Sequence, residues 1–576
     1  PSTYATLSGT SVSTPIVSGT AALVKSLNPM WTPDQVAQQV RVTADPIDNL
    51  NPGFLQNLGL GRVNAFRAVS ENSSPGVQMI SFTISDSIGG NNDKSLDPGD
   101  TARIVGQFRN FLRPTSNATA QLTTLDPFIT ITNANALVSL GAIGTLETVT
   151  NSSNPFVFQV SPSVPENHVA VLYVNFSEGT YHDYTGFSIP LNPTYKDHNI
   201  NNITMTVTSK GTLAFNDYPD NFQGTGFVFH RGGEDNLLFE GAFMAGTDVA
   251  HVVDAARSEN QSAQSTDFVS QRKFSFLQSS IISDQDGLSI FNDGGAIVNQ
   301  VGLRVKLNTY AFKDVPDNDY VILKYTLVNK GSSPVPNLHT GLYFDWDVGS
   351  VTKNIAKYDS LRRLGYIYDI EPSGSRTYVG AVLLSPGSPQ FRAIANDGDD
   401  SWQVYDGFTK AEKWESLNSG VAHPQAGPTD VSFVIGTGPV SIAANDSIVV
   451  GFALLAGTSL SNLQANVDAA RQKWGAVITE VQRISSQIPS TFFLYQNYPN
   501  PFNPVTKIRY DLPHESRVTL TVYDMLGQEV VRPVDAHQSA GKYEVPLSAA
   551  NLSSGVYFYR MQAGSYIDVR KMVILR

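Results

Sequence analysis

From residue 77 to its C-terminus the chain repeats one texture. Short runs of alternating apolar and polar residues are each closed by a cluster of Gly, Asn, Asp or Pro. A period of two puts successive side chains on opposite faces of an extended strand, so such runs are stable only when they pair and bury one face. QMISFTISD, TARIVGQFRN, FVFQVS and VAVLYVNFSE carry this pattern between 77 and 195, broken by GGNNDKSLDPGD. The 45 Gly, 32 Pro and 10% aromatic residues supply the turns and strand formers that it requires. A mostly β, multidomain chain is therefore expected. At 576 residues it is too long for one core, and the usual domain size divides it into roughly three to five domains.

Residues 77–195 read as an Ig-like β-sandwich. A larger β-rich accessory region, one sandwich or two, follows over 196–480, with strands such as YVILKYTLVN and SIVVGFALLAG and a closing amphipathic helix over 460–474. The segment 490–576 alternates again (KIRYDL, RVTLTVYDM, GVYFYRMQ, YIDVRKMVIL) and is expected to form a compact antiparallel sandwich. Only the first 72 residues differ. Helices are expected over 14–28 and 32–44; in the second, Thr32 can cap, Pro33 suits the first helical position, and Gln35 completes a capping box. Val36, Val40 and Ala44 then form one apolar stripe, and SENSSPG (70–76) reads as a linker.

The net charge of −12 offers no basic stripe for a nucleic acid. With no cysteine there is no disulfide framework, thiolate zinc site or cysteine nucleophile. No apolar run reaches the roughly 20 residues of a membrane-spanning helix. The chain starts at Pro1 with no signal peptide in view, and is expected to be the C-terminal piece of something longer.

The chemistry concentrates in YATLSGTSVSTPIVSGTAALV (4–24). Ser11 falls at the start of a helix rich in small residues, where unpaired N–H groups and a partial positive charge favour a developing oxyanion. Gly9 lets backbone approach a bound peptide. The competing reading is a capped helix packed by its small side chains. None of the nine histidines lies near Ser11 in sequence, and all read as surface or turn residues of β domains.

Gly9, Thr10, Ser11, Ser13, Pro15, Val17 and Gly19, followed by NPMWTPDQVAQQVRVTAD and the turn Gly59, Gly61, Asn64, Ala65, resemble the C-terminal end of the subtilisin-like serine protease domain. The resemblance implies that residues 1–72 are the α-helical part of an α/β subtilisin domain. It makes Ser11 the nucleophile, with its backbone N–H as one oxyanion donor, and Gly9, Thr10 and Pro15 the supporting turn. Ile16 stands where many members carry histidine. The family order places the Asp, the His base and the oxyanion Asn before the Ser, hence upstream of Pro1. A polypeptide substrate is implied, no cofactor is required, and the chain by itself is expected to be inactive.

In the middle region Asp345 and Asp347 lie two apart on one strand and, with loop oxygens, could hold Ca²⁺. Turn chemistry is the competing reading for these and other Asp-rich runs. Trp346, Trp402, Tyr405, Phe408 and Trp414 suggest a cell-surface glycan as a further partner, against the alternative of core aromatics.

NYPNPFNP (497–504) is too rich in proline for regular strand or helix and must be a rigid, turn-rich lead-in. Asn497, Pro499, Asn500, Pro501, Phe502, Asn503 and Pro504, with Tyr523, Asp524, Gly527, Gly555, Tyr557 and the terminal Lys571–Arg576, resemble the C-terminal sorting domain of type IX secretion cargo in Bacteroidetes-like bacteria. This implies the type IX machinery as partner and a protein secreted from, or attached to the outside of, a Gram-negative cell. The expectation is a secreted subtilisin-like serine endopeptidase. The alternative is a non-enzymatic adhesion, scaffold or glycan-binding β protein with a degenerate protease segment.

Overall fold

The computed structural model describes all residues except 1–8, 55–56, 91–92, 94, 133–135, 261–262, 278–279, 281, 373, 375, 399–402, 479–481, 486–488, 504, 539, 550–551 and 576. It divides into two compact units, Pro1–Thr194 and Tyr195–Arg576.

The first unit opens with helices α1 (Thr10–Leu27), α2 (Pro33–Val42) and α3 (Ala65–Ser70). The capping box forms as the sequence suggests. Gln35 N–H donates to Thr32 Oγ1 at 3.3 Å, and Thr32 N–H donates to Gln35 Oε1 at 3.0 Å. Helix α1 starts four residues before the expected position, so Pro15 lies inside it. Val24, Val36, Val40 and Ala68 are the buried core of the three helices.

The sandwich that follows has two sheets. One runs Val77–Ser85, Thr101–Asn110, Phe156–Val160, Ile129–Ile131, with Thr148–Thr150 beside the second strand; the other runs Leu137–Gly141, Ala118–Thr124, His168–Glu178, Tyr181–Leu191. Their inward faces share one core that includes Phe108, Phe156, Phe158, Leu172 and Phe176. The helices dock on this sandwich through polar groups. Gln35 Nε2 donates to Phe111 O at 3.0 Å, and Tyr184 Oη donates to Gly59 O at 3.1 Å. Arg41 pairs with Asp183 at 2.7 Å and donates to Tyr184 O at 2.6 Å. Asp183 is fully buried, whereas Arg41 keeps 26% of its side-chain exposure. Burial foremost pushes the Asp183 carboxyl up to about 6, against the pull of the Arg41 guanidinium.

In the second unit a ten-stranded sheet and a nine-stranded sheet face each other across one apolar core. Phe243, Tyr343, Phe344 and Phe433 enter it from the first sheet, and Phe291, Val305, Tyr325 and Phe452 from the second. Helix α4 (Lys410–Asn418) packs on the ten-stranded sheet. Lys413 Nζ, itself buried, donates to Asp254 at 2.9 Å there. Helix α5 (Leu460–Ile478) covers the outer face of the nine-stranded sheet with Leu463, Val467, Ala470 and Trp474. Helix α4 was not expected from the sequence, because its buried positions include Lys413 and Ser416 and leave no apolar stripe.

The tail is a third sandwich. One sheet runs Gln482–Ser485, Gly541–Ser548, Val505–Leu512, Phe493–Leu494; the other runs Glu529–Gln538, Ser516–Tyr523, Gly555–Ala563, Tyr566–Ile574. Asp524 N–H donates to Gln528 O at 3.0 Å, closing the hairpin turn that contains Gly527. Among the described residues no helix is long and apolar enough to cross a membrane.

Candidate functional site

Ser11 is the second residue of α1 and is exposed. Gly9 precedes the helix at φ 140°, a left-handed conformation that L side chains resist. The Gly9 carbonyl accepts from the N–H groups of Val12 and Ser13 at 3.1 and 3.3 Å. Ser13 and Thr14 turn their hydroxyls back onto the helix, donating to Gly9 O and Thr10 O at 3.4 and 3.1 Å. The Ser11 hydroxyl makes no such bond among the described residues. Its N–H comes before Val12, the first residue whose N–H reaches the Gly9 cap carbonyl, at the end where a helix leaves its donors without an acceptor in the preceding turn. Pro15 has no N–H to return to the Ser11 carbonyl. The helix start thus offers a hydroxyl uncommitted among the described residues, beside backbone donors at the positive end of a dipole.

The family-like turn further along is fixed by geometry. Gly61 sits at φ 123°, and a Cβ there would lie 2.0 Å from Asp45 O. Its neighbour Arg62 exchanges backbone hydrogen bonds with Asp45 at 2.8 and 2.9 Å. Asn64 caps α3 by accepting from Arg67 N–H at 3.0 Å, while its amide donates to Asp45 Oδ1 at 2.9 Å.

Among the described residues no hydrogen bond joins Ser11 to a histidine or a carboxylate. The histidines have local partners: His168 with Asp126 at 2.6 Å, His230 with Glu234 at 2.9 Å, His251 with Asp248 at 2.9 Å. Two of them are not surface residues as expected. His198 is fully buried between Gln285 (2.9 Å) and Thr309 (2.6 Å), and burial pushes its imidazole down to about 4. His339 is buried against the Leu417 carbonyl at 2.9 Å. The side chain of His537 lies outside the described residues.

Asp345 is the penultimate residue of the strand Val335–Trp346, and Asp347 follows the strand. Their carboxylates converge with that of Asp430, the ligand atoms lying within 4.8 Å of one another. Asp430 is far away in sequence, and no local signal links it to the pair. The buried Asp345 pairs with the buried Arg257, which also binds Glu240 at 2.6 Å. Asn396 Nδ2 donates to Asp345 and Asp430 at 2.8 and 2.7 Å, and Tyr405 Oη also donates to Asp430. Asp347 alone has no side-chain hydrogen bond among the described residues. Burial foremost, then the Asp345 and Asp430 charges, push its carboxyl up to about 7. It lines a cleft of about 410 Å³ with Asp235, Asp369 and Gly349. Of the aromatic residues singled out nearby, Trp346 and Phe408 are fully buried, and Trp414 packs edge-on against His339. Tyr405 is exposed, and Trp402 lies outside the described residues.

In the tail, Asn497 is buried. Its N–H donates to Tyr559 Oη at 2.7 Å, and its amide donates to Thr506 Oγ1 at 2.9 Å and Pro499 O at 3.1 Å. Phe502 is a core residue, whereas Pro499, Pro501 and Asn503 are exposed. Tyr557 is buried and donates to Ser553 O at 3.1 Å. Gly555 begins its strand at φ 156°, and Pro504 lies outside the described residues.

Comparison with known proteins matches the two ends of the chain. Residues 2–65 match the subtilase family, and residues 496–575 match the secretion system C-terminal sorting domain. M-protease of Shouchella clausii is 47% identical over 64 residues, 11% of this chain and 16% of that protein. Subtilisin BL of Lederbergia lenta is 45% identical over 64 residues, 11% of this chain and 22% of that one. The chain therefore spans about a fifth or less of the length of these relatives. Among solved structures, a polysaccharide lyase aligns over 66% of this chain and 47% of its own at 10% identity, with a TM-score of 0.25. So low a score carries no argument. The N-terminal segment matches the subtilase family, and the match to the sorting domain at the other end marks a protein secreted or attached at the outer surface.

Proposed function

We propose that this subtilase segment, followed by β-sandwiches and a type IX sorting domain, is the C-terminal portion of a secreted or surface-attached serine endopeptidase. Ser11 is the nucleophile. Its uncommitted hydroxyl at the first turn of α1, inside the segment that matches the subtilase family, is the observation that carries the reading. A serine hydroxyl is a weak nucleophile at neutral pH without a base to take its proton. In this reading the base and its orienting acid come from a segment N-terminal to Pro1. The exposed apolar face of α1, with Ile16 and Leu27 each 61% exposed, supports it as the surface on which that segment packs.

In the completed site Ser11 Oγ bonds to the scissile carbonyl carbon while the base accepts the hydroxyl proton. The Ser11 N–H holds the oxyanion, and the peptide C–N bond breaks as the proton passes to the leaving amine. Water then hydrolyses the acyl ester and frees Ser11. The polypeptide is the substrate, and the sorting domain brings the type IX machinery as partner.

The test is release of new amino termini from a protein substrate by the protein extended upstream of Pro1, beside its Ser11→Ala variant. Loss of about 10⁴–10⁶-fold in the variant is expected, the scale of removing one triad member. Equal hydrolysis by both proteins would refute the assignment.

A further inference from the structure

The last strand, Tyr566–Ile574, lies at the edge of its sheet, paired on one side only with Gly555–Ala563. The pairing of Gly555 with Ile574 and Tyr557 with Met572 turns the backbone groups of Lys571, Val573 and Leu575 outward. Such an unpaired row is a template for another chain. Here that row is already occupied by the Asn-Pro segment. Gln496 Nε2 donates to Lys571 O at 2.7 Å, and Asn500 Nδ2 donates to the same carbonyl at 3.3 Å. Asn500 Oδ1 accepts from Val573 N–H at 2.8 Å. Phe502 N–H donates to Val573 O at 3.0 Å, and Leu575 N–H donates to Phe502 O at 3.1 Å.

Side-chain amides at 496 and 500 and the backbone at 502 thus do the work of a neighbouring strand, and Phe502 pairs with Ile574 in parallel. The segment that provides them cannot slide. Asn497 ties it to Tyr559 and Thr506, Thr506 Oγ1 donates to Pro499 O at 2.7 Å, and Tyr498 exchanges backbone bonds with Lys507 at 3.0 Å in each direction. The Phe502 ring anchors its far end in the core. Proline suits such a strap: it fixes the chain direction and has no N–H to leave unpaired.

We propose that residues 496–502 are an edge strap, which satisfies the outer backbone of the last strand and keeps that edge from pairing with a second copy of the chain. Asn500 is its key positioning residue, since its one amide serves both a carbonyl and an N–H of the strand. The role is separate from peptide hydrolysis and does not rest on Ser11.

The test is residue-resolved amide hydrogen exchange of the full chain, beside light scattering of the same samples. In Asn500→Ala, exchange at Val573 is expected to rise about tenfold, the loss of one half-buried hydrogen bond. Exchange at Thr519 and Leu520, one strand further into the same sheet, should stay constant, and association with second copies should increase. Asn500→Asp keeps the acceptor and should hold Val573 near its original rate, which separates the bond from general loosening and remains informative if the alanine variant unfolds. Unchanged Val573 exchange in a folded Asn500→Ala protein would overturn the strap. So would equal exchange at Val573 in the Asp and Ala variants. Faster exchange with no added association would overturn the guarding role.

Discussion

The helical segment and the large double sheet differ in where they keep their polar chemistry. The helices share only four buried apolar residues, and α3 leaves Phe66 77% exposed. Yet this segment carries the motif, with Ser11 open to solvent. The double sheet buries a far larger core and hides charged groups inside it: Arg257 with Glu240 and Asp345, and Lys413 with Asp254. Glu240 and Asp345 stand opposite each other across paired strands, an arrangement that repels unless a cation lies between them. Arg257 is that cation. A reactive group must remain uncommitted and reachable, whereas buried charges persist only when fully partnered. The contrast separates chemistry from architecture in one chain.

Removing Arg257 should break the double sheet most severely. Arg257→Leu leaves two buried carboxylates without their partner and is expected to cost about 3–5 kcal/mol. Calorimetry should show the transition of the second unit falling while that of residues 1–194 stays in place. An equal shift of both would show that the two regions are not energetically distinct. Arg41→Ala tests the helical side, where the buried Asp183 would lose its partner. Because Arg41 is partly exposed, about 1–3 kcal/mol is expected. Adding Asp183→Asn should recover part of that loss, and urea titration of the single and double variants measures it. A double variant no more stable than Arg41→Ala would mean that the pair does not hold the helices to the sandwich.

Thr32→Ala removes the cap of α2 and is expected to cost about 1 kcal/mol, read from the urea midpoint of the first unit. The smallest effect concerns Asp347 and depends on pH. Its folded carboxyl is raised to about 7, above its ordinary value of about 3.9. Between these values the unfolded chain has lost the proton and the folded chain keeps it, so stability falls as pH rises through that window. Asp347→Asn should therefore stabilise the second unit by on the order of 1 kcal/mol at alkaline pH, by less as pH falls from about 7 towards 4, and leave it unchanged below about pH 4. Thermal melts across that range would show it, and a gain that is the same at every pH would refute the charge argument.

Much of this was legible in the sequence because it is local. The capping box at Thr32, the Gly527 hairpin and the alternation of the sandwiches each depend on residues a few positions apart. The placing of Ser11 near a helix start also follows from near neighbours, whereas the turn around Gly61 was read from its resemblance and is held by Asp45, well upstream. What stayed hidden depends on pairing across the sheets. Asp430 joins Asp345 and Asp347 only through the fold, and nothing near Arg257 announces that a guanidinium lies in a core. Helix α4 buries Lys413, which polarity alone assigns to the surface. The Asn-Pro run was legible as a turn-rich segment, but its seat on the last strand needed the register of that strand.

The most direct test of the central claim is covalent labelling by a serine-directed phosphonate, mapped by mass spectrometry on the protein extended upstream of Pro1. One adduct is expected on Ser11, absent from Ser11→Ala and from the present chain by itself. An extended protein that hydrolyses peptides while Ser11 stays unlabelled would contradict it.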